Sequence, residues 1–294
     1  MATYKTYDTV GIREDLQDAI YDISPTTTPF MSTVGRTKAK NTYHEWQTDS
    51  LADVNLANAQ VEGADAVSAV LTPTTRVGNY TQISDKVVQV STTDDVVDKA
   101  GRSTETAYQL SKASAEIKRD MESILLSDQA QDAGAAAKAR KLGGLASWIT
   151  TNTVDTAGGA LTEDMLKEAV LKAYNSGGEP DVLLVSPANK QVVSTFAGIA
   201  EQRYQAPKSS PTTIIGAADV YLSDFGSVSV VPDRFLSDDF SYVLDPSMAS
   251  VAYLRPFKSQ KLAKMGDSEK HLLNVEYTLV VNNEAAHAMM SDES

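Results

Sequence analysis

The chain has 294 residues, 42% of them hydrophobic, and a formal net charge of −13. Length sets a prior of about two domains and the hydrophobic share supports a real core, while the acid excess argues against a protein that reads nucleic-acid sequence, though not against a surface that faces DNA. The absence of cysteine removes disulfides, thiol nucleophiles and zinc-thiolate sites and fits assembly in a reducing cytoplasm, and no run approaches the roughly 20 apolar residues that cross a bilayer.

Residues 1–40 combine a short amphipathic pattern over 11–23 with Ser24-Pro25-Thr26-Thr27-Thr28-Pro29-Phe30, whose prolines push their predecessors toward extended geometry. The stretch reads as an arm and an extended strap ending in two exposed anchors, Phe30 and Met31, that lie on something else; an interdomain linker is the other reading. No apolar core of signal-peptide length stands at the N-terminus.

Over 41–91, segments 42–47 and 79–90 alternate as strands do, around an alanine-rich middle, 51–71. Between Lys40 and Arg76 there is no lysine or arginine, whereas Glu45, Asp49, Asp53, Glu62 and Asp65 are acidic. A long hairpin with an acidic tip of small residues is predicted. Long structureless loops are usually functional or disordered, so the tip is either an arm that reaches a neighbouring subunit or a loose surface insertion. The sequon Asn79-Tyr80-Thr81 has no meaning without an export signal.

The longest unambiguous element is 103–129, where Ala107, Leu110, Ser114, Ile117, Met121, Ile124 and Asp128 recur at steps of three and four and Leu125 widens the stripe. The helix would be roughly 40 Å long. Its stripe is thin for such a rod, so other segments should lie along it. After it, Lys138, Arg140 and Lys141 make a basic knot before Gly143-Gly144; no phosphate-binding loop pattern surrounds it, and a solvated turn is the reading.

Residues 161–232 read as a compact mixed unit. Thr162 caps a helix with Glu163 and Asp164 in its first turn and Leu161 and Leu166 as a hydrophobic staple, ending at Gly177-Gly178. A strand over 181–185 leads to Ser186-Pro187, an N-cap and N1 pair for a helix through about Phe196. A polar loop over 203–213 precedes a hairpin of 220–222 with 228–231. Then come strands at 242–244, 251–254 and 272–281, the last alternating Leu273, Val275, Tyr277 and Leu279 with Asn274, Glu276 and Thr278. Arg255, Lys258, Lys261 and Lys264 form the most basic run. These strands are expected to pack on the long helix, with 161–232 inserted between them.

Catalytic patterns are missing. His44, His271 and His287 have no second histidine at metal-binding spacing, there is no GxSxG, and no GxGxxG follows a strand. Asp94, Asp95 and Asp98, and Asp233, Asp238 and Asp239, lack calcium-loop spacing and read as helix-start and turn residues. No catalytic residue, cofactor or metal ligand is assigned, and an enzyme is not expected.

The order of parts, with the stretches 23–30 (ISPTTTPF), 45–51 (EWQTDSL), Ala100-Gly101-Arg102 leading to Lys118-Arg119-Asp120-Met121-Glu122, and Gly143-Gly144-Leu145 with Trp148-Ile149, resembles the major capsid (major head) proteins of tailed bacteriophages with the Hong Kong 97-type fold. The resemblance implies an α+β fold with five parts: an N-terminal arm (1–40), an extended hairpin loop (41–91), a peripheral domain with a spine helix (92–140), an axial domain (141–235) and peripheral return strands (236–294). It implies hexamers and pentamers tiling an icosahedral shell around double-stranded DNA, assembled in the host bacterial cytoplasm, with no membrane partner. Portal and decoration proteins are further partners that it suggests. Relatives that cleave an N-terminal scaffolding segment carry about a hundred residues before the arm; here the arm starts near Met1, so a separate scaffolding protein, or none, is expected. The extended loop of this fold lies on the adjacent subunit. On this chain, subunit contacts are expected at Trp46, Asp49, Asp53 and Glu62, meeting Arg255, Lys258, Lys261 and Lys264 of the next copy. An encapsulin-like compartment shell, and a cytosolic hydrolase using 161–232, are the alternatives.

Overall fold

The computed structural model describes residues 24–63, 65, 68, 71–97, 104–156, 158–196, 219–264 and 266–291. The amphipathic segment 11–23, Asp98, the expected helix start at 103 and the loop 203–213 lie outside the described residues.

Pro29 opens a single helical turn, α1 (Pro29–Thr33), where its missing N–H costs nothing, and the chain continues into β1 (Gly35–Lys38). The hairpin arm follows as β2 (Tyr43–Thr48) and β3 (Thr75–Tyr80), paired antiparallel from Tyr43↔Tyr80 to Thr48↔Thr75. Residues 79–90, read as one strand, are two: buried Thr81 breaks the run, and β4 (Gln82–Ser91) leaves the arm to pair with a distant strand. Ser91 accepts from the Asp94 N–H and caps α2 (Thr92–Val96), with Asp94 and Asp95 in its first turn, as Asp at a helix start requires.

The long helix is α3 (Glu105–Leu126), about 33 Å at 1.5 Å per residue. Its buried face is Ala113, Ile117, Met121, Glu122, Leu125 and Leu126, while Ala107, Ser111, Lys112, Lys118, Asp120 and Ser123 face water. It packs on a four-stranded sheet of order β1, β10 (Ala249–Lys261), β11 (Ser268–Val281), β4. Leu273, Val275, Tyr277 and Leu279 of β11 share one core with Ile117, Met121 and Leu125, so the expected alternation is realised on this face. Each buried Ile, Leu or Met contributes roughly 1.5–3 kcal/mol. The other face of β11 is also closed, because the hairpin base lies over it.

Gly143 and Gly144 carry the chain tightly past the end of α3 into α4 (Leu145–Trp148). A Cβ on Gly144 would collide with the carbonyl oxygens of Ser127 and Ile124, both backbone atoms that cannot swing away. Gly144→Ala is therefore expected to destabilise the subunit by on the order of 2–3 kcal/mol, read as a lower urea midpoint at unchanged slope. A loss below about 0.5 kcal/mol would contradict the packing described.

The second body begins at β5 (Thr153–Asp155) and α5 (Glu163–Asn175), where Thr162 accepts from Met165 N–H and Leu161 and Leu166 are both buried, as the cap and staple predict. Gly177, at φ +89°, ends α5 in the left-handed region. Then come β6 (Val182–Val185), α6 (Pro187–Val193) capped by Ser186, and the hairpin of β7 (Val220–Ser223) and β8 (Gly226–Pro232). With β9 (Phe240–Leu244) and β12 (Ala288–Ser291) they form a six-stranded sheet, β5-β12-β9-β6-β8-β7. β9 was expected among the strands on the long helix; its Tyr242 and Leu244 do share the core of α3, but it pairs with β6 and β12 in the second sheet, to which the last described strand also returns. In β6, Leu183 and Val185 face the core under α5 and α6, while Val182 and Leu184 face the core shared with α3. Period-two burial on both faces explains why this strand reads as an unbroken apolar run. Tyr242 Oη donates to Leu126 O at 2.6 Å, stitching the sheet to the end of α3.

Candidate functional site

The hairpin arm has a fixed base and a free tip. At the base, Asn79 is fully buried: its Nδ2 donates to Gly143 O (3.0 Å) and Leu279 O (2.9 Å), and its Oδ1 accepts from Gly143 N (2.8 Å). A glycosylation sequon here is sterically closed. Thr278 Oγ1 donates to Tyr80 O, and Thr81 Oγ1 donates to Glu276 Oε1 at 2.8 Å. Glu276, 4% exposed, also accepts from Arg140 Nη2 (2.5 Å) and Arg255 Nε (2.7 Å), and Arg140 Nε donates to Thr81 O. Arg140, read from sequence as part of a solvated knot, is thus the clamp of the hairpin base. Its neighbour Lys138 pairs with Asp132 across a small turn.

Beyond Thr48 the hydrogen bonds of the tip among the described residues are local. Asp49 Oδ1 accepts from Ser50 N–H, and Asp53 and Glu62 form no ion pair among the described residues. Among the described residues, its large apolar side chains Leu51, Val54, Leu56, Val61 and Leu71 are between 79% and 98% exposed. Five such side chains on one loop form an exposed apolar group of the kind that marks interaction surfaces, since isolated apolar residues are ordinary but clustered ones are not. Sequence reading treated the tip as acidic and small; the apolar residues were visible there, spaced among alanines and acids with no strand or helix period to mark them.

Trp46, expected at a subunit contact, is turned inward. Its ring sits 5.3 Å from Trp148 and 6.2 Å from His44, and packs on the small core of Ala39, Ala252 and Val280. The basic run is spread along β10 and the turn after it. Arg255 binds Glu276, Lys261 Nζ lies 2.6 Å from Glu269 Oε1, and Lys264 lies 3.8 Å from Asp267. The Lys261 ammonium holds the Glu269 carboxyl below its ordinary range. Lys258 alone of the four forms no ion pair among the described residues. Three of the four expected contacts are therefore already engaged within the chain.

Phe30 and Met31, expected as exposed anchors, are buried: they insert under α3, and their backbone N–H groups donate to Glu122 Oε1 (2.6 Å) and Oε2 (3.0 Å). The strap lies on its own subunit because a carboxylate in the apolar face of the helix collects both amides. Asp233, read as a turn residue, is also fully buried, and its Oδ1 accepts from Phe235 N at 2.8 Å. His287 is buried with Nδ1 accepting from Asp245 N, and burial lowers its pKa; it serves as a neutral core acceptor. Among the described residues no group of three or more His, Asp or Glu side chains could hold a metal ion.

Comparison with known proteins agrees in kind. The model of the SU10 major capsid protein family matches residues 2–294. The major capsid protein of Escherichia phage Phieco32 is 30% identical, over 98% of this chain and 96% of that one. Among solved structures, a protein of Mycobacterium phage Adephagia superposes with a TM-score of 0.66 at 12% identity, covering 99% of this chain and 98% of that chain. The holo-SrpI encapsulin of Synechococcus elongatus superposes at 0.61 and 15% identity, covering 100% and 97%. At those identities the structures speak for the fold alone.

Proposed function

The chain belongs to the SU10 major capsid protein family, a phage major capsid protein of Hong Kong 97-type fold and no enzyme, and from that premise we propose how its copies build a shell. Hexamers and pentamers tile an icosahedral shell around double-stranded DNA, formed in the host cytoplasm, with the hairpin tip of each copy laid on the next. The observation that carries this reading is the tip itself: among the described residues, five exposed apolar side chains and the acids Asp49, Asp53 and Glu62 without ion pairs, held out on an arm whose base is locked by Asn79 and Glu276. A rigid base with an unsatisfied end is arranged to bury that end against another copy. The exposed side of α3 supports the same reading, since this rod is covered on one side only by its own subunit.

Charge complements the apolar contact. Lys258 is the expected ionic partner of the tip in the neighbouring copy, whereas Arg255, Lys261 and Lys264 would have to exchange an existing partner. Rim charges of this kind set association rate and salt response more than affinity. Reversing Asp49, Asp53 and Glu62 together to lysine is expected to slow assembly and flatten its salt dependence, with the monomer's unfolding curve unchanged; normal particles at a normal rate would count against the charge contact.

Electron microscopy of the purified full chain tests the main reading, with closed shells or capsomers as the expected result. A uniform monomer at every concentration and salt would overturn it. The encapsulin similarity makes one further outcome informative: particles produced during infection that enclose protein cargo and exclude DNA would favour a compartment shell.

A further inference from the structure

We infer that Glu122 and Asp233 form a proton-held latch, so that docking of the strap at Phe30 and Met31 onto α3 requires one proton shared between the two buried carboxyl groups. Both side chains are fully buried and they lie within hydrogen-bond reach of each other. The hydrogen-bond inventory seats the proton. Both oxygens of Glu122 accept backbone N–H groups, from Phe30 and Met31, so Glu122 is built to be the carboxylate. Asp233 Oδ1 accepts from Phe235 N, but Asp233 Oδ2 is buried with no partner among the described residues. A proton on Oδ2 donating to Glu122 satisfies that atom and removes one of two facing charges. Without it, two carboxylates would stand together in the core, an arrangement that like charges strongly disfavour.

Among the described residues no cation compensates the pair. Arg119, one turn before Glu122 on α3, lies over the Phe235 ring at 5.5 Å, and its buried Nε donates to nothing among the described residues. From β10, Tyr253 faces Glu122, and Arg36 of β1 acts on Tyr253 rather than on the pair. Burial accordingly raises both carboxyls, with Asp233 a further cause for Glu122, and the one shared proton leaves the pair as a unit, at the value of about 8 carried by Glu122. Because the folded value is raised, the sign is fixed: the latch's stabilisation is full below the ordinary carboxyl value of 4.5, falls as pH rises and is lost once pH has passed about 8. The same pH change leaves the six-stranded sheet untouched, so the strap opens while the rest stays folded.

Hydrogen exchange of the full chain, read by mass spectrometry between pH 6 and 10 and corrected for intrinsic exchange, tests this. In the wild-type chain the peptide holding Phe30 and Met31 is expected to lose protection about tenfold per pH unit up to about 8 and to level off above it, while the β6 peptide stays constant. Asp233→Asn carries a permanent donor at the Oδ2 position and keeps the Oδ1 acceptor, so its strap protection should be flat across the range. Glu122→Gln loses one amide acceptor and should show weak strap protection at every pH. A wild-type profile without a break, or an Asp233→Asn profile that falls like wild type, would overturn the latch. Should Asp233→Asn fail to fold, infrared spectroscopy of the wild type decides the matter: a protonated-carboxyl band at neutral pH that disappears in alkali supports the latch, and its absence at neutral pH refutes it.

Discussion

Glu276→Ala is expected to destabilise the isolated subunit by about 3 kcal/mol, because it strands two guanidinium groups and a hydroxyl that converge on one buried carboxylate. The figure sits at the lower end of the range for broken buried pairs, since half-exposed Arg255 can turn to water whereas Arg140 remains largely covered. The check is urea unfolding of the variant beside Arg140→Met/Glu276→Met. The double variant should recover much of the loss, because apolar replacement of a whole buried pair is often near neutral. Equal losses in both would mean the site matters for packing and not for charge. The consequence extends past stability: Glu276 and Arg140 together hold Thr81, the residue where the chain leaves the arm for β4, so the single variant should also let the hairpin swing.

The position of Glu276 also shows where sequence patterning reached its limit. Alternation over 272–281 correctly placed Leu273, Val275, Tyr277 and Leu279 against the long helix, because one-sided burial leaves a period of two. It could not show that Glu276 and Thr278 are buried too, under the base of an arm almost 200 residues earlier in the chain. Polar residues with partners that distant read as solvent-facing. The caps at Thr162 and Ser186 were legible since both the side chain and its amide partner lie within a few residues. By contrast, the burial of Phe30 and Met31 depends on Glu122, 91 or 92 positions away, and the move of β9 into the second sheet depends on its pairing with β6 and β12. The tip was half legible: its acids announce themselves by the absence of Lys and Arg, whereas its apolar residues have no periodicity, as befits side chains that pack on nothing in their own chain.

That last property gives the second prediction. Replacing Leu51, Val54 and Leu56 together by serine is expected to abolish closed shells while leaving the subunit's unfolding midpoint within error of wild type. The monomer has little to lose, since these three side chains are 98%, 87% and 96% exposed and already in water. An assembly has much to lose, since each would otherwise bury its apolar surface at a contact for roughly 1.5–3 kcal/mol, and a closed shell repeats the contact at every subunit. Sedimentation of the variant should show monomers or isolated capsomers at concentrations where wild type forms particles, and added salt should not restore them, because salt weakens charge repulsion but does not replace apolar area. This separates the two halves of the tip. Reversal of Asp49, Asp53 and Glu62 should alter rate and salt response, whereas loss of the leucines and valine should remove the contact itself. Particles of normal yield from the serine variant would place the subunit contact elsewhere, and the exposed side of α3 would become the next surface to change.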